Sequence, residues 1–388
     1  MEVFRRVLVL LCLALNRLSR PRCYRRFSSS SCELSVTVNR ERLLKNLEPL
    51  LLAHAPSGSE TEVDQLMRQF IPESLPHKTW QDGADSIVYH FVGSDPTLPA
   101  TAVTAHKDEI SMIIKCVEKN GRIRVQPIGG LHPWAVGEAP VEILGRETVQ
   151  GVLSVGSKHV SHLSAAGPLK EGTPLTWDRM WVETGLSAET LAARGVRTGR
   201  KVVLARHFKK PWWIGDGELL CGYNIDCRGG LAILIEVALG FADKPPAGDV
   251  YLIASAEEEI GGLGAVWSVG QLPVESVIAI DVVPVAEEYG VSNSADPALP
   301  CKDRAAMYHT GMVDHMETLA QELGFGVQTA VLTSYASDAT LAKAAGSAAR
   351  ACLIGYPGDN THGYEISHVG GLVNSARLLE AYLANPLP

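Results

Sequence analysis

Five short apolar runs, rich in β-branched residues, constrain the fold of this chain more than any other feature. They are SIVYHFV, ATAVTA, VYLIAS, SVIAI and ACLIG, which begin at residues 86, 100, 250, 276 and 351. Helical patterns separate the last three runs, among them LAILIEVAL from residue 231 and MVDHMETLAQELGF from residue 312. Strands that alternate with helices predict an α/β fold, with a central, mostly parallel sheet and helices on both of its faces.

Two further segments complete the predicted organisation. An amphipathic helix is expected within SGSETEVDQLMRQFI, and Ser59 and Glu62 have the spacing of a capping box at its start. Residues 112–206 break the alternation, because they are rich in glycine and short β-type runs and show little helical periodicity. We therefore expect a small β domain at 112–206, inserted into an α/β domain that comprises residues 34–111 and 207–388.

The N-terminus differs in charge from the rest of the chain. Its first 32 residues hold seven arginines, a serine run and one acid, whereas the remainder has 28 basic and 42 acidic residues. This composition is typical of an organellar transit peptide, so residues 1–33 are expected to be a transit peptide or a disordered N-terminus, and the protein to be mitochondrial. Another organelle, secretion and a cytoplasmic location with an uncleaved tail are the alternatives.

The composition of the chain argues against nucleic acid binding, membrane insertion and disulfides. The part after residue 32 is acidic and shows no basic stripe, so nucleic acid is not an expected partner. The apolar stretch VLVLLCLAL is too short to span a bilayer, and no later segment resembles a transmembrane helix, so no stable membrane insertion is expected. The eight cysteines form no CxxC pair and no disulfide-like spacing, so we expect reduced thiols.

Residues that can bind metal ions follow four of the five apolar runs. ATAVTA leads into His106 and Asp108, VYLIAS into three glutamates at 257–259, SVIAI into Asp281, and ACLIG to His362. Asp226 adds a fifth group in YNIDCRGG, just before a glycine pair and a predicted helix. Ligand sites in open α/β sheets lie at the carboxyl ends of the strands, so these groups are expected to converge on one crevice.

Each group also has an ordinary structural explanation. A short acidic run is usually solvated, a His-x-Asp pair is often a surface pair, and Asp226 could be the N-cap of the next helix. Five coincidences at strand ends favour a metal centre instead, and imidazoles with carboxylates suit zinc, cobalt or manganese. Two such ions about 3.5–4 Å apart would need a bridging carboxylate, and a glutamate left uncoordinated could act as a general base.

The motifs and their order resemble the tetrahedral, or glutamyl, aminopeptidases of metallopeptidase family forty-two. The resemblance extends from about residue 40 to residue 384, through APSGSETEV, AHKDEIS, PIGGLHPW, GSKHVSHL, MWVETGLSAETLAARGVRTG, YNIDCRGG, AEEEIGGLGA, IAIDVVP, SDATLAKAAG and THGYEIS. It implies that the α/β domain is a phosphorylase/hydrolase-like catalytic domain. It also implies that the inserted β domain is PDZ-like and mediates dimerisation.

The resemblance implies a role for each candidate residue. The terminal ligands of one metal ion would be His106 and Asp281, and those of the other would be Glu259 and His362. Asp226 would bridge the two ions. The catalytic residues would be Glu258, as the general base, and Asp108, which would orient a ligating histidine.

Two departures from the family pattern concern preference rather than ligation. Cys227 stands where relatives usually have Asp or Asn, which leaves the preferred metal open, and its thiol is expected to make the enzyme sensitive to oxidants. Family members often carry an arginine before the histidine, whereas DNT precedes His362 here, which leaves the preferred substrate open. By the same resemblance, the bond between Asp226 and Cys227 is expected to be cis.

The sequence thus predicts an aminopeptidase that removes N-terminal residues from short peptides. It would use two divalent metal ions per subunit, zinc first, with cobalt or manganese as alternatives, and would assemble into a homo-oligomer, either a dimer or a dodecamer. The alternatives are a related metal-dependent deacylase of small N-acyl compounds and an inactive scaffold of the same fold.

Overall fold

The computed structural model describes residues 36–161, 163 and 166–387 of the chain. The predicted transit peptide at residues 1–33 lies outside these residues, so it stays a prediction. No helix in the described ranges is long and apolar enough to cross a membrane. The five cysteines among the described residues are free thiols, in agreement with their spacing.

Strands account for most of the framework. In chain order they are β1 (His77–Gln81), β2 (Ile87–Phe91), β3 (Thr101–His106), β4 (Ser111–Val117), β5 (Ile123–Ile128), β6 (Ala139–Leu144), β7 (Thr148–Ser154), β8 (Trp181–Glu183), β9 (Lys201–Leu204), β10 (Trp212–Ile214), β11 (Leu219–Gly222), β12 (Val250–Ser255), β13 (Ser276–Pro284), β14 (Ala298–Lys302), β15 (Gln328–Val331), β16 (Arg350–Asp359) and β17 (Glu365–His368). The five apolar runs of the sequence correspond to β2, β3, β12, β13 and β16.

Helices connect and cover these strands. They are α1 (Arg40–Leu52), α2 (Thr61–Phe70), α3 (Pro133–Val136), α4 (Gly167–Lys170), α5 (Ala188–Ala193), α6 (Ile225–Gly240), α7 (Leu263–Gly270), α8 (Thr310–Glu322), α9 (Asp338–Ala344) and α10 (Val369–Ala384). Single 3₁₀ turns occur at Trp177–Arg179, Arg206–Lys209, Gly215–Gly217 and Glu287–Tyr289.

The α/β part contains an 11-stranded mixed sheet. Its main order is β1-β2-β12-β3-β13-β16-β17-β11-β10, and β14 pairs with both β15 and β16. The four central strands β12, β3, β13 and β16 are parallel to their neighbours in this group and almost wholly buried, which explains their continuous apolar sequences. Because these strands are parallel, their carboxyl ends lie at one edge of the sheet.

Helix α6 is buried around nearly its whole circumference, since it packs on β13 and on the helices α1 and α10. Its one acidic residue after the first turn, Glu236, is fully buried and accepts hydrogen bonds from Arg42 Nε at 2.9 Å, from Arg42 Nη2 at 2.6 Å and from Asn39 N at 2.5 Å. The side chain of Arg42 is 42% exposed, so solvent screens part of the attraction, but its loss would leave a fully buried carboxylate without its cationic partner. This pair therefore fixes the start of α1 against the helix that carries Asp226.

The inserted part is a closed six-stranded barrel in the order β4-β5-β8-β7-β6-β9, in which β9 pairs with β4. Its strands extend from Ser111 to Leu204 and enclose a separate apolar core. The predicted fold class, α/β with an inserted small β domain, is therefore confirmed. The PDZ-like and dimerising character of this domain stays a prediction.

The expected capping box at the first amphipathic helix is wrong. Helix α2 begins at Thr61, and its N-cap residue, Glu60, makes no side-chain cap hydrogen bond. The side chain of Glu62 instead accepts hydrogen bonds from the backbone N–H of His54 and from Arg206, both at 2.9 Å. Tertiary partners thus outcompete the local cap that the sequence pattern favoured.

Candidate metal centre

The residues singled out at the strand ends meet at one edge of the central sheet. His106 is the last residue of β3 and Asp281 lies within β13, while the glutamates begin two residues after the end of β12. Asp226 lies at the start of α6, where it and Cys227 have non-helical backbone angles, and the bond between them is cis as expected. His362 lies in the turn between β16 and β17.

The carboxylate of Asp226 lies between two imidazoles. Its Oδ1 is 3.0 Å from His106 Nε2, and its Oδ2 is 3.4 Å from His362 Nε2. Asp281 Oδ1 lies 3.9 Å from the first of these nitrogens, and Glu259 Oε2 lies 3.6 Å from the second. The centre therefore divides into a subsite of His106 and Asp281 and a subsite of His362 and Glu259, with Asp226 shared.

Both imidazoles face Asp226 through the same ring nitrogen, because the other nitrogen has a hydrogen-bond acceptor. His106 Nδ1 lies 3.2 Å from the carbonyl oxygen of Asp108, and His362 Nδ1 lies 3.2 Å from the carbonyl oxygen of Gly130. An Nδ1–H that donates to a carbonyl holds the ring so that Nε2 is the nitrogen presented for metal ligation. This arrangement fits the ligand roles that the sequence predicts for both residues.

Asp108 orients more than one group of the centre. Its carboxylate is fully buried and lies 3.3 Å from His106 Nδ1. It also accepts hydrogen bonds from Ser57 Oγ at 2.6 Å, from the backbone N–H of Glu258 at 2.9 Å and from that of Glu259 at 3.2 Å. Although burial alone would raise it, the pKa of Asp108 is lowered by His106 and by these donors. Asp108 thus holds the turn that presents both glutamates.

The three adjacent glutamates point in different directions because β12 ends at Ser255, before them. Glu258 Oε2 lies 4.0 Å from His106 Nε2, and Glu259 lies in the other subsite. Glu257 has a φ of +54°, its N–H donates to Glu60 Oε1 at 3.2 Å, and its side chain lies against Gly58. Only the second and third glutamates therefore face the centre.

The charges of the centre fit bound cations. In the described part of the chain, the ion pairs of four carboxylates involve only the two histidines: these carboxylates belong to Asp226, Glu258, Glu259 and Asp281. Burial raises the pKa of Glu259 to about 8, that of Asp281 to about 7 and that of Glu258 well above its ordinary value. Buried carboxylates ionise readily only beside compensating positive charge, and imidazole with carboxylate oxygen is a donor set for divalent ions.

The pKa values of the two histidines are raised as well. Burial alone would lower the pKa of His362, but the hydrogen bond to Asp226 and the charge of Glu259 raise it to about 10. The pKa of His106 is likewise raised well above its ordinary value by its anionic neighbours, against the effect of burial. In the absence of metal ions these protons neutralise the carboxylates, so metal binding must displace them.

Sequence reasoning missed three residues that support the ligands. Tyr335 donates a hydrogen bond from its hydroxyl to Asp281 Oδ2 at 2.7 Å. Glu365 accepts from the backbone N–H of Asp226 at 3.1 Å and from that of His362 at 3.3 Å. The third residue, Ser57, donates to Asp108 as described above. Ser57 and Glu365 lie in motifs that carried the family resemblance, so a signal for them existed, whereas Tyr335 had none.

Cys227 also lies within the centre. Its Sγ, an imidazole nitrogen of His106 and a carboxylate oxygen of Asp281 lie within 4.8 Å of one another. The side chain is fully buried, and the thiol donates to the carbonyl oxygen of Ile280 at 3.1 Å. Burial first, and then the charge of Asp281, raises the pKa of this thiol well above its ordinary value.

The fold and the donor set together define an α/β protein with a candidate site for divalent metal ions. The M42 glutamyl aminopeptidase family matches residues 86–378, which is well over half of the chain, and the chain belongs to that family. The members of this family, and the relatives that this chain resembles, are aminopeptidases, which are hydrolases that act on peptide bonds.

Two curated relatives and one solved structure describe this similarity. The lysyl aminopeptidase of Pyrococcus furiosus is 29% identical over 203 residues, which are 52% of this chain and 55% of that enzyme. The glutamyl aminopeptidase of Lactococcus lactis is 23% identical over 251 residues, which are 65% of this chain and 69% of that enzyme. The chain thus aligns with little more than half of the lysyl enzyme's length.

The solved structure is that of the TET1 peptidase of Pyrococcus horikoshii, which can assemble into a tetrahedron or a large octahedral shell. It superposes with a TM-score of 0.78 at 19% identity, over 88% of this chain and 99% of that one. At this identity the similarity concerns the fold, which it places with the TET aminopeptidases.

Proposed function

We propose that this protein is a two-metal aminopeptidase that removes N-terminal residues from short peptides. The observation that carries the proposal is the position of Asp226, whose two carboxylate oxygens each face one imidazole. His106 and Asp281 would hold one divalent ion, and Glu259 and His362 the other. Zinc is the first candidate, and cobalt or manganese would suit the same donors.

Bound metal ions would supply electrophilic polarisation of the peptide carbonyl and activation of a water molecule. Glu258 accepts the proton of that water and passes it to the leaving amine, as a general base that later acts as an acid. Its side chain is only 14% exposed, which keeps bulk water from competing for the proton. The carboxylate of Asp108 accepts a hydrogen bond from the backbone N–H of Glu258 and so keeps Glu258 in place.

The test uses chelated protein and a panel of aminoacyl and N-acyl substrates, with zinc, cobalt or manganese added back. We expect chelation to abolish hydrolysis of the aminoacyl substrates and the added metal to restore it. Restored cleavage of N-acyl substrates alone would establish the deacylase instead. Full activity in protein that elemental analysis finds free of metal would refute the two-metal proposal.

We further propose that the protein forms a homo-oligomer through the inserted barrel. The support is the similarity of fold to the P. horikoshii peptidase, which assembles into closed shells. Light scattering should give a dimer or a dodecamer across micromolar concentrations. A strictly monomeric species would refute this proposal.

A mitochondrial location is proposed from the basic, serine-rich N-terminus alone. N-terminal sequencing of the native protein should then begin near residues 28–33. Recovery of an intact Met1 would refute processing as a transit peptide.

A further inference from the structure

The inserted barrel contributes a turn to the metal centre, although every predicted ligand lies in the α/β part. The turn consists of Gly129 and Gly130, which follow β5 directly. The carbonyl oxygen of Gly130 accepts the Nδ1–H of His362 at 3.2 Å. The barrel therefore supplies the acceptor that fixes the orientation of this imidazole.

Both glycines approach the ligands so closely that a side chain does not fit. A Cβ atom on Gly130 would lie 2.5 Å from His362 Nδ1 and 2.7 Å from its Cε1. A Cβ atom on Gly129, whose φ is +73°, would lie 2.9 Å from Glu259 Oε2 and 3.1 Å from its Cβ. Such distances are shorter than van der Waals contact, so an added methyl group would displace these ligands from their present positions.

The core of the barrel fixes the turn in position. Leu131 and Val136, which flank it on the C-terminal side, are buried in the apolar cluster of the barrel. The carbonyl oxygen of Leu131 also accepts a hydrogen bond from Trp177 Nε1 at 3.2 Å. A displacement of the barrel relative to these ligands would therefore move the turn with it.

The two subsites differ in whether the barrel supplies a hydrogen-bond partner to their ligands. The hydrogen-bond partners of His106 and Asp281 within the described ranges, among them Asp108 and Tyr335, all belong to the α/β part. His362, by contrast, is about one-third exposed at its side chain and takes its Nδ1 partner from the barrel. Without the turn, this imidazole has room to rotate.

We propose that the Gly129–Gly130 turn is a positioning element that sets the metal affinity of the subsite formed by His362 and Glu259, and leaves the subsite of His106 and Asp281 unchanged. This inference rests on the two-metal function proposed above. The barrel then completes the catalytic centre, in addition to any part that it plays in assembly.

The test is a zinc titration of the full chain after chelation, in competition with a chromophoric chelator, with the bound zinc counted by elemental analysis. The wild type should bind two zinc ions. Gly130→Ala should keep one at wild-type affinity and bind the other about 10- to 100-fold more weakly, the usual effect of losing a partner of a metal ligand. Gly129→Ala should give the same pattern.

Gly137→Ala is the matched control. Gly137 lies eight residues beyond Gly129, its φ is +64°, and a Cβ atom there meets nothing within 4 Å. Like Gly129→Ala, this variant places a side chain at a positive φ, a strain that Gly130→Ala lacks, but it makes no contact with a ligand, so it should bind both zinc ions as the wild type does. An equal loss of zinc in Gly137→Ala would overturn the inference.

Two backgrounds show which subsite is affected. Gly130→Ala should weaken the remaining ion in an Asp281→Asn background and have no further effect in a Glu259→Gln background. The opposite pattern would overturn the inference. A purely structural role would lower the unfolding temperature of metal-free Gly130→Ala, whereas we expect no change there, because His362 can rotate away.

The outcomes separate this inference from the function on which it rests. If the wild type binds two ions and hydrolyses aminoacyl substrates while Gly130→Ala keeps both ions at wild-type affinity, only the positioning role is refuted. If the wild type binds no zinc and is inactive with every metal, the proposed function is refuted and this inference with it.

Discussion

Replacing the three adjacent glutamates one at a time by glutamine separates the predicted base from the predicted ligand. The substitution is nearly isosteric, so it removes a negative charge without leaving a cavity. Glu258→Gln should bind both metal ions and lose most of its activity, because the amide cannot accept the proton of the attacking water. Glu259→Gln should lose metal, and Glu257→Gln should resemble the wild type.

The structure sets the size of each effect. Glu258 Oε2 lies 4.0 Å from the nearest ligand nitrogen, and general-base assistance is typically worth about 10²–10⁴-fold, so kcat should fall by that factor. The side chain of Glu259 is 4% exposed and lies 3.6 Å from His362 Nε2. Loss of a residue that merely supports a metal ligand typically lowers metal affinity about 10- to 100-fold, so loss of Glu259 itself should lower the affinity for one ion at least as much. Glu257 lies against Gly58, away from the ligands.

The assay measures initial rates on an aminoacyl anilide over a range of substrate concentrations, and the bound zinc is counted in the same samples. A fall in kcat at unchanged zinc content identifies an interaction made in the transition state. If Glu257→Gln is instead the inactive, fully metallated variant while Glu258→Gln loses metal, both role assignments are wrong by one residue.

The remaining predictions concern stability, support of a ligand and the buried thiol. Unfolded carboxyl groups titrate near pH 4, whereas burial raises the pKa of Asp281 to about 7 and that of Glu259 to about 8. Metal-free folded protein therefore binds more protons than the unfolded chain between about pH 4 and 8, and its free energy of unfolding should fall as the pH rises through this range. Urea unfolding at pH 5 and 8 should show this loss in chelator but not with zinc, and a loss of equal size in both would contradict it. Tyr335→Phe removes the donor to Asp281 Oδ2, so zinc competition should show one ion bound about 10- to 100-fold more weakly, and wild-type affinity for both would exclude a supporting role. The sequence predicts that Cys227 makes the enzyme sensitive to oxidants, but the thiol is fully buried, so we now expect Cys227→Ser to leave the rate of inactivation by peroxide unchanged; a clear protection would support the prediction from the sequence instead.

The positions of several candidate ligands could be predicted because they depend on short-range rules. Buried parallel strands are continuous apolar runs, and the carboxyl ends of such strands meet at one edge of the sheet. His106 and Asp281 end or interrupt two of these runs, so their convergence follows from the pattern once the α/β alternation is recognised. The division of the glutamates did not follow from strand periodicity, because the strand ends before them.

The sequence by itself determined the fold class and the set of groups available for the site, because apolar periodicity and residue chemistry are local properties. Tertiary structure alone decided which groups support them, since the hydrogen bonds from Ser57 to Asp108, from Tyr335 to Asp281 and from His362 to Gly130 join residues 51, 54 and 232 positions apart. No local pattern specifies such pairs. They exist because the packing of the barrel and the sheet brings the chain segments within hydrogen-bond distance.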